Sequence, residues 1–134
     1  MVINQSIDIE DTIRAILHAA GVTAYCRPLP ANFTTPSILV TATGGTVEES
    51  WSNEGKIDSF TVVLDSRADS EASALALLRS AIGILKASVA AQTTAVRSVT
   101  VNTQYSWGSD PVRPDLAMCS ANLTARAHTE TITI

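Results

Sequence analysis

The chain has 134 residues, 46% of them apolar and 16% charged, with a net charge of −4 at neutral pH. This length suits one domain, residues 1–134, with a core large enough to fold without staples. The acidic balance excludes the basic footprint with which a protein grips DNA or an anionic membrane. A charged fraction below the usual quarter leaves Ser, Thr and Asn to supply much of the polar surface. Such a surface defends poorly against association, which fits an assembled protein and equally a Thr-rich β protein.

The acids are unevenly placed. Residues 1–67 hold eight acids against four bases, whereas residues 68–134 hold five of each. Part of the excess is a cluster of Glu48, Glu49, Glu54 and Asp58 with Lys56 as its one base, which reads as a solvated loop or as a surface that meets a basic partner. The opening MVINQSIDIED lacks the basic-then-apolar pattern of a secretory leader, and no run is expected to match the ~20 apolar residues of a membrane span. A soluble protein made in a reducing cytoplasm is expected. Cys26 and Cys119 have no CxxC and no His at ligand spacing, so they predict neither a metal site nor a supported disulfide.

Taken in chain order, Asp8 predicts a helix cap, Ile9, Ile13, Ile16 and Leu17 the apolar stripe, and Gly21 the left-handed end. Val22 to Arg27 follows as a short strand. Pro28, Pro30 and Pro36 then interrupt regular structure. Three strands are predicted next: Ser37 to Ala42, Val47 to Trp51 and Ile57 to Asp65, joined by turns at Gly44-Gly45 and Ser52–Gly55. The Phe60–Leu64 centre is apolar on both faces and predicts a central strand.

A long helix from about Asp69 to Val89, opened by Ser66 or Asp69, carries two apolar stripes. Leu75, Leu78, Ile82, Leu85 and Val89 form one, and Leu77, Ala81 and Ile84 lie nearly opposite, with Arg79 and Lys86 on a narrow strip. One stripe serves the protein's own core. The other needs a second neighbour, either another helix of the chain or another copy. Val96 to Thr103 returns to strand, Gln104 to Asp115 is irregular, and Leu116 to His128 is a long closing strand. Its inward positions, Ala117, Cys119, Ala121, Leu123, Ala125 and Ala127, are mostly small, so the long helix is expected to lie across it. The tail 129–134 extends that strand or pairs elsewhere. The order predicts an α+β fold, a mainly antiparallel sheet with two helices on one face.

No catalytic signature emerges. His18 and His128 read as surface residues, and there is no GxSxG, HExxH, Walker or GxGxxG pattern. Thr43–Thr46 lies between strands and reads as a hairpin turn rather than a phosphate cradle. Glu48 and Glu49 point to opposite strand faces. Glu48 neighbours Asp58 across a hairpin only in one register. Tyr105 and Trp107 beside Asp110-Pro111-Val112-Arg113-Pro114-Asp115 remain the best interface candidates. Their alternative is structural, with Trp107 plugging the end of the sandwich and Arg113 paired with Asp110 or Asp115.

The order of a short helix, a Pro-rich crossing, a meander, one long helix and a closing strand pair resembles the tail terminator proteins of long-tailed phages, within the wider head–tail joining and tail completion group. The stretch GSDPVRPDL after Trp107, followed by a Thr/Ala-rich strand to Arg126, is similar to the aspartate-and-proline loop of such proteins. The resemblance implies a virion protein of the tail or neck, not an enzyme and without cofactors. It would form a ring, expected to be hexameric, that caps the tail tube, meets the tube and head-completion proteins, and lets DNA pass without specific binding. No membrane is implied. Within it, Leu77, Ala81, Ile84, Trp107 and Arg113 are candidate contacts. Glu48, Glu49, Glu54 and Asp58 would either line the lumen and repel DNA or steer a basic partner. Another phage connector, a tail tube subunit, or a non-phage oligomeric binding module are the alternatives.

Overall fold

The computed structural model describes residues 2–48, 57–103 and 105–133. Strand β1 (Val2–Gln5) is followed by helix α1 (Ile9–Ala19), β2 (Ala24–Cys26), β3 (Ser37–Glu48), β4 (Ile57–Ala68) and helix α2 (Glu71–Ala91). Then come β5 (Val96–Val101), β6 (Ser106–Ser109), β7 (Ala117–His128) and β8 (Glu130–Thr133). The main sheet has the order β2-β3-β4-β7-β5, with β6 also on β7, and β1 pairs with β8 in a separate ribbon. All its pairings are antiparallel except β2 with β3. The α+β architecture is therefore as the sequence predicts, with both helices on one face.

The helix ends follow from side-chain chemistry. Asp8 accepts the Asp11 N–H and caps α1, while Glu10 and Asp11 sit in its positive first turn. At the other end Val22 N–H reaches Leu17 O and Gly21 N–H reaches His18 O, a Schellman closure that needs the positive φ of 87° at Gly21. Ser70, not Ser66 or Asp69, caps α2 by accepting the Ser73 N–H. Ser66 lies in β4 and donates its hydroxyl to Ala74 O, tying strand to helix.

The core lies between the sheet and the helices. On α2, Ala74, Leu78, Ala81, Ile82 and Leu85 are buried, the spacing of one helical face. On β7, Cys119, Ala121, Leu123, Ala125 and Ala127 alternate inward as predicted, and the small size of all but Leu123 lets α2 lie close across β7 and β4. Val62 and Leu64 complete the inner face of β4, which is central in the sheet. The opposite face carries hydroxyls, amides and charges, with Ser120 Oγ donating to Asp65 Oδ1 and Asn102 Nδ2 to Thr124 Oγ1 at 2.6 Å. A one-sided core of this kind suits an antiparallel sheet.

Three expectations change. Gly44-Gly45 is not a turn: β3 runs straight through it, with Thr43 bulged out between Ala42↔Val62 and Gly44↔Thr61. Gly44 has φ 149°, which an L residue resists, and the bulge uses that freedom. The predicted second hairpin strand, with Trp51, therefore ends β3 or lies outside the described residues. The irregular 104–115 segment contains β6, which forms four ladder pairs with β7 from Ser106↔Ser120 to Ser109↔Ala117. Finally, α2 is long and apolar enough to cross a membrane by length and composition, with a mean hydropathy of 1.6. In this fold it is a sheet-packed helix.

Candidate assembly surfaces

The second stripe of α2 divides on inspection. Ala81 is fully buried and belongs to the core, so it is not available to a neighbour. Its position between Leu78, Ile82 and Leu85 settles this, because a small side chain there lets the sheet approach. Leu77 and Ile84 are half-buried and pack partly on the core. α1 supplies the second neighbour within the chain: Ile84 and Ser88 face Ile16, Ala19 and Ala20 across a groove of about 280 Å³. The cover is incomplete, and only 28% of the apolar α2 window is buried.

A larger groove lies on the far side of α2, at the β5–β6 edge. Its volume is about 480 Å³, and Leu75, Ile82, Lys86, Val101, Tyr105 and Trp107 line it. Trp107 stands opposite Cys119 in the ladder, so its ring shares the helix-bearing face, yet it is 49% exposed. Tyr105 is 40% exposed. Trp107 is therefore no plug of the sandwich. It is a large side chain left at an edge beside apolar helix residues, the composition typical of an interface anchor.

The aspartate-and-proline loop is built around a buried ion pair. Arg67, the last charged residue of β4, donates from Nε to Asp110 Oδ2 at 2.7 Å, and the two residues are 7% and 3% exposed. Asp110 Oδ1 accepts the Val112 and Arg113 N–H groups at 2.8 and 2.9 Å, and Leu116 N–H closes the loop on Arg113 O. Burial alone would raise the Asp110 carboxyl, but the Arg113 N–H, the Arg67 guanidinium and the Val112 N–H together hold it below the usual range. Arg67 Nη1 has no acceptor, and its guanidinium stands over the Phe33 ring at 6.0 Å, with Arg113 over the same ring at 5.7 Å. The Arg113 side chain pairs with Asp115 at 3.4 Å; Asp110 takes only its backbone. Arg67 and Phe33 escaped the sequence reading. A single base near the end of a strand whose other charges, Asp58 and Asp65, are acids was the signal available.

Of the acidic cluster, only Asp58 has a described side chain, and it belongs to no surface patch. Glu49 and Glu54 lie outside the described residues. The backbone of Glu48 ends β3 opposite Ile57, so Asp58 faces Val47 rather than Glu48. Asp58 itself is 2% exposed and is no solvated loop acid. It shares the inward side of β4 with Val62 and Leu64, near the start of α1, and Ser6 Oγ donates to its Oδ2. Nearby, Glu10 accepts the Arg27 guanidinium at 2.7 Å and the Ala42 N–H at 3.1 Å; the Arg27 hydrogen bond is the main cause that lowers its carboxyl below the ordinary value.

His18 lies exposed in the last turn of α1 and His128 half-buried at the end of β7, on separate elements. Burial raises the thiols of Cys119 and Cys26, both free. Among the described residues no three of His, Cys, Asp or Glu converge as metal ligands.

No protein-family model and no curated protein matches the sequence. Among solved structures, the chain is similar to one described as "Virion of native gene transfer agent (GTA) particle". The TM-score is 0.52 at 9% identity, and the match covers 90% of this chain and 94% of that one. At that identity the likeness is one of fold, and it extends over nearly the whole of both chains.

Proposed function

We propose that this chain is a structural protein of a phage-like virion: a tail terminator that closes into a ring, of six copies, on the end of the tail tube and joins it to the head. The observation that carries the proposal is the fold shared with a virion chain over almost its full length. The aspartate-and-proline loop and the order of elements give the finer reading of tail terminator. The partners are then the tube protein and a head-completion protein, with DNA passing through the channel without specific contacts. The role is non-enzymatic, and its place is the tail or neck of a particle assembled in the host cytoplasm.

The surface supports an assembling role. A closed ring repeats one heterologous contact, and so needs two different patches on each copy. The Trp107 groove is suited to be one of them, because it leaves an aromatic anchor and the outer side of α2 uncovered. The test is direct. Sedimentation over a range of concentrations should give a species of about six times the 14.1 kDa protomer, and negative-stain images should show single rings. Trp107→Ala should weaken the ring by tenfold or more, which is about 1.4 kcal/mol. Long tubes would assign the chain to the tube instead. A dimer without rings would favour a stand-alone binding module.

A further inference from the structure

Asp58 is the buried acid of the described protomer that is left chemically unfinished. Its side chain is almost completely buried, its Oδ2 accepts from Ser6, and its Oδ1 has no partner. A buried carboxylate oxygen without a donor is costly, and native folds rarely tolerate one. It lines a hollow of about 370 Å³ whose walls include Ile7, Ile9, Ala42 and Phe60. Asp8 and Glu10 line the same hollow and, with Asp11 in the same turn, offset the positive end of α1.

The form of this hollow selects its occupant. A divalent cation is unsuited, because no third ligand converges among the described residues. Glu10 is already engaged by Arg27 and the Ala42 N–H, and Asp8 by the Asp11 N–H. One free acceptor within partly apolar walls fits a long side chain with an aliphatic stem and a cationic head. Arg14, Arg27, Arg67 and Arg113 of the same chain each have a carboxylate already. Arg79, Lys86 and Arg97 have none among the described residues, and of these three Lys86 lines the Trp107 groove at the β5–β6 edge, away from the start of α1.

We propose that the Asp58 hollow of one copy receives Lys86 from the next copy, so that the hollow and the Trp107 groove are the two complementary patches of one repeating contact. This rests on the ring reading above. It joins an unpartnered acid to an unpartnered base and covers the exposed aromatic edge in the same step.

A double-mutant cycle on the full chain tests it, with assembly followed by sedimentation and monomer folding by thermal unfolding. Lys86→Met and Asp58→Asn are each expected to raise the ring dissociation midpoint at least tenfold. The double variant should be no worse than either single one. Lys86 is exposed, so its variant keeps the test valid if Asp58→Asn folds poorly. Additive losses, or rings that form equally well in the Lys86→Met variant, would overturn the pairing while leaving the ring reading intact. A wild-type chain that stays monomeric at every concentration would overturn both.

Discussion

The two ends of β4 each bury a carboxylate and treat it differently. At the Arg67 end, Asp110 receives a guanidinium and two backbone N–H groups, and both of its oxygens are occupied. At the other end, Asp58 receives one serine hydroxyl and keeps a bare oxygen. The acid at one end has both oxygens paired within a single copy, and the acid at the other gains a partner for its second oxygen only if something is added. The lesson is that burial alone does not separate a structural acid from an assembly acid; the count of donors does.

The strongest way to break this contrast is Asp110→Ala. It strands Arg67 in the interior and frees two loop N–H groups, so urea unfolding should show a loss of about 3–5 kcal/mol. A loss under 1 kcal/mol would mean the closed end is not closed. Leu78→Ala, midway under the helix and fully buried, should cost about 2–5 kcal/mol and fixes the scale against which both ends are judged.

Acid provides a gentler probe. Asp110 and Glu10 have carboxyl groups held below their unfolded values. Their contribution is therefore fully present above the ordinary carboxylate range and is lost as pH falls through the lowered folded values. The unfolding midpoint should drop between neutral pH and about pH 3, with a shallower slope in Asp110→Asn. An equal slope in that variant would remove Asp110 from the account. The smallest effect is expected from Asp58→Asn on the monomer, within about 1 kcal/mol, because the oxygen it changes has nothing to lose. A larger loss would show that Asp58 is structural after all.

Much of the architecture was readable in the residues. Asp8, the isoleucine stripe and Gly21 located α1, and the Ala/Cys alternation located β7 and the helix across it. Local chemistry dictates those features, and so they show in local sequence. What escaped depends on distant partners. Ser6 meets Asp58 across 52 residues, and Arg67 meets Asp110 across 43, so neither pair leaves a periodic trace. Gly44-Gly45 misled because the same freedom serves a turn and a bulge. Ala81 was misplaced because an alanine sits on either face of an apolar helix with equal ease, and only the sheet decides.

The way β7 is bordered has a further consequence. β5 and β6 divide its outer side into two short stretches, with Arg97 bulged out where the β5 ladder shifts register. The opposite border is β2, three residues long and followed at once by Arg27-Pro28. The β7 border leaves no long run of open backbone, whereas β3 continues past β2 from Thr41 to Glu48, with the Ala42 N–H taken by Glu10 and a bulge at Thr43. If the molecule's task is to bring a growing polymer to a halt, the divided β7 border and the bulge that interrupts the β3 edge are fitting safeguards, because each hinders the stopper from becoming a fibre itself.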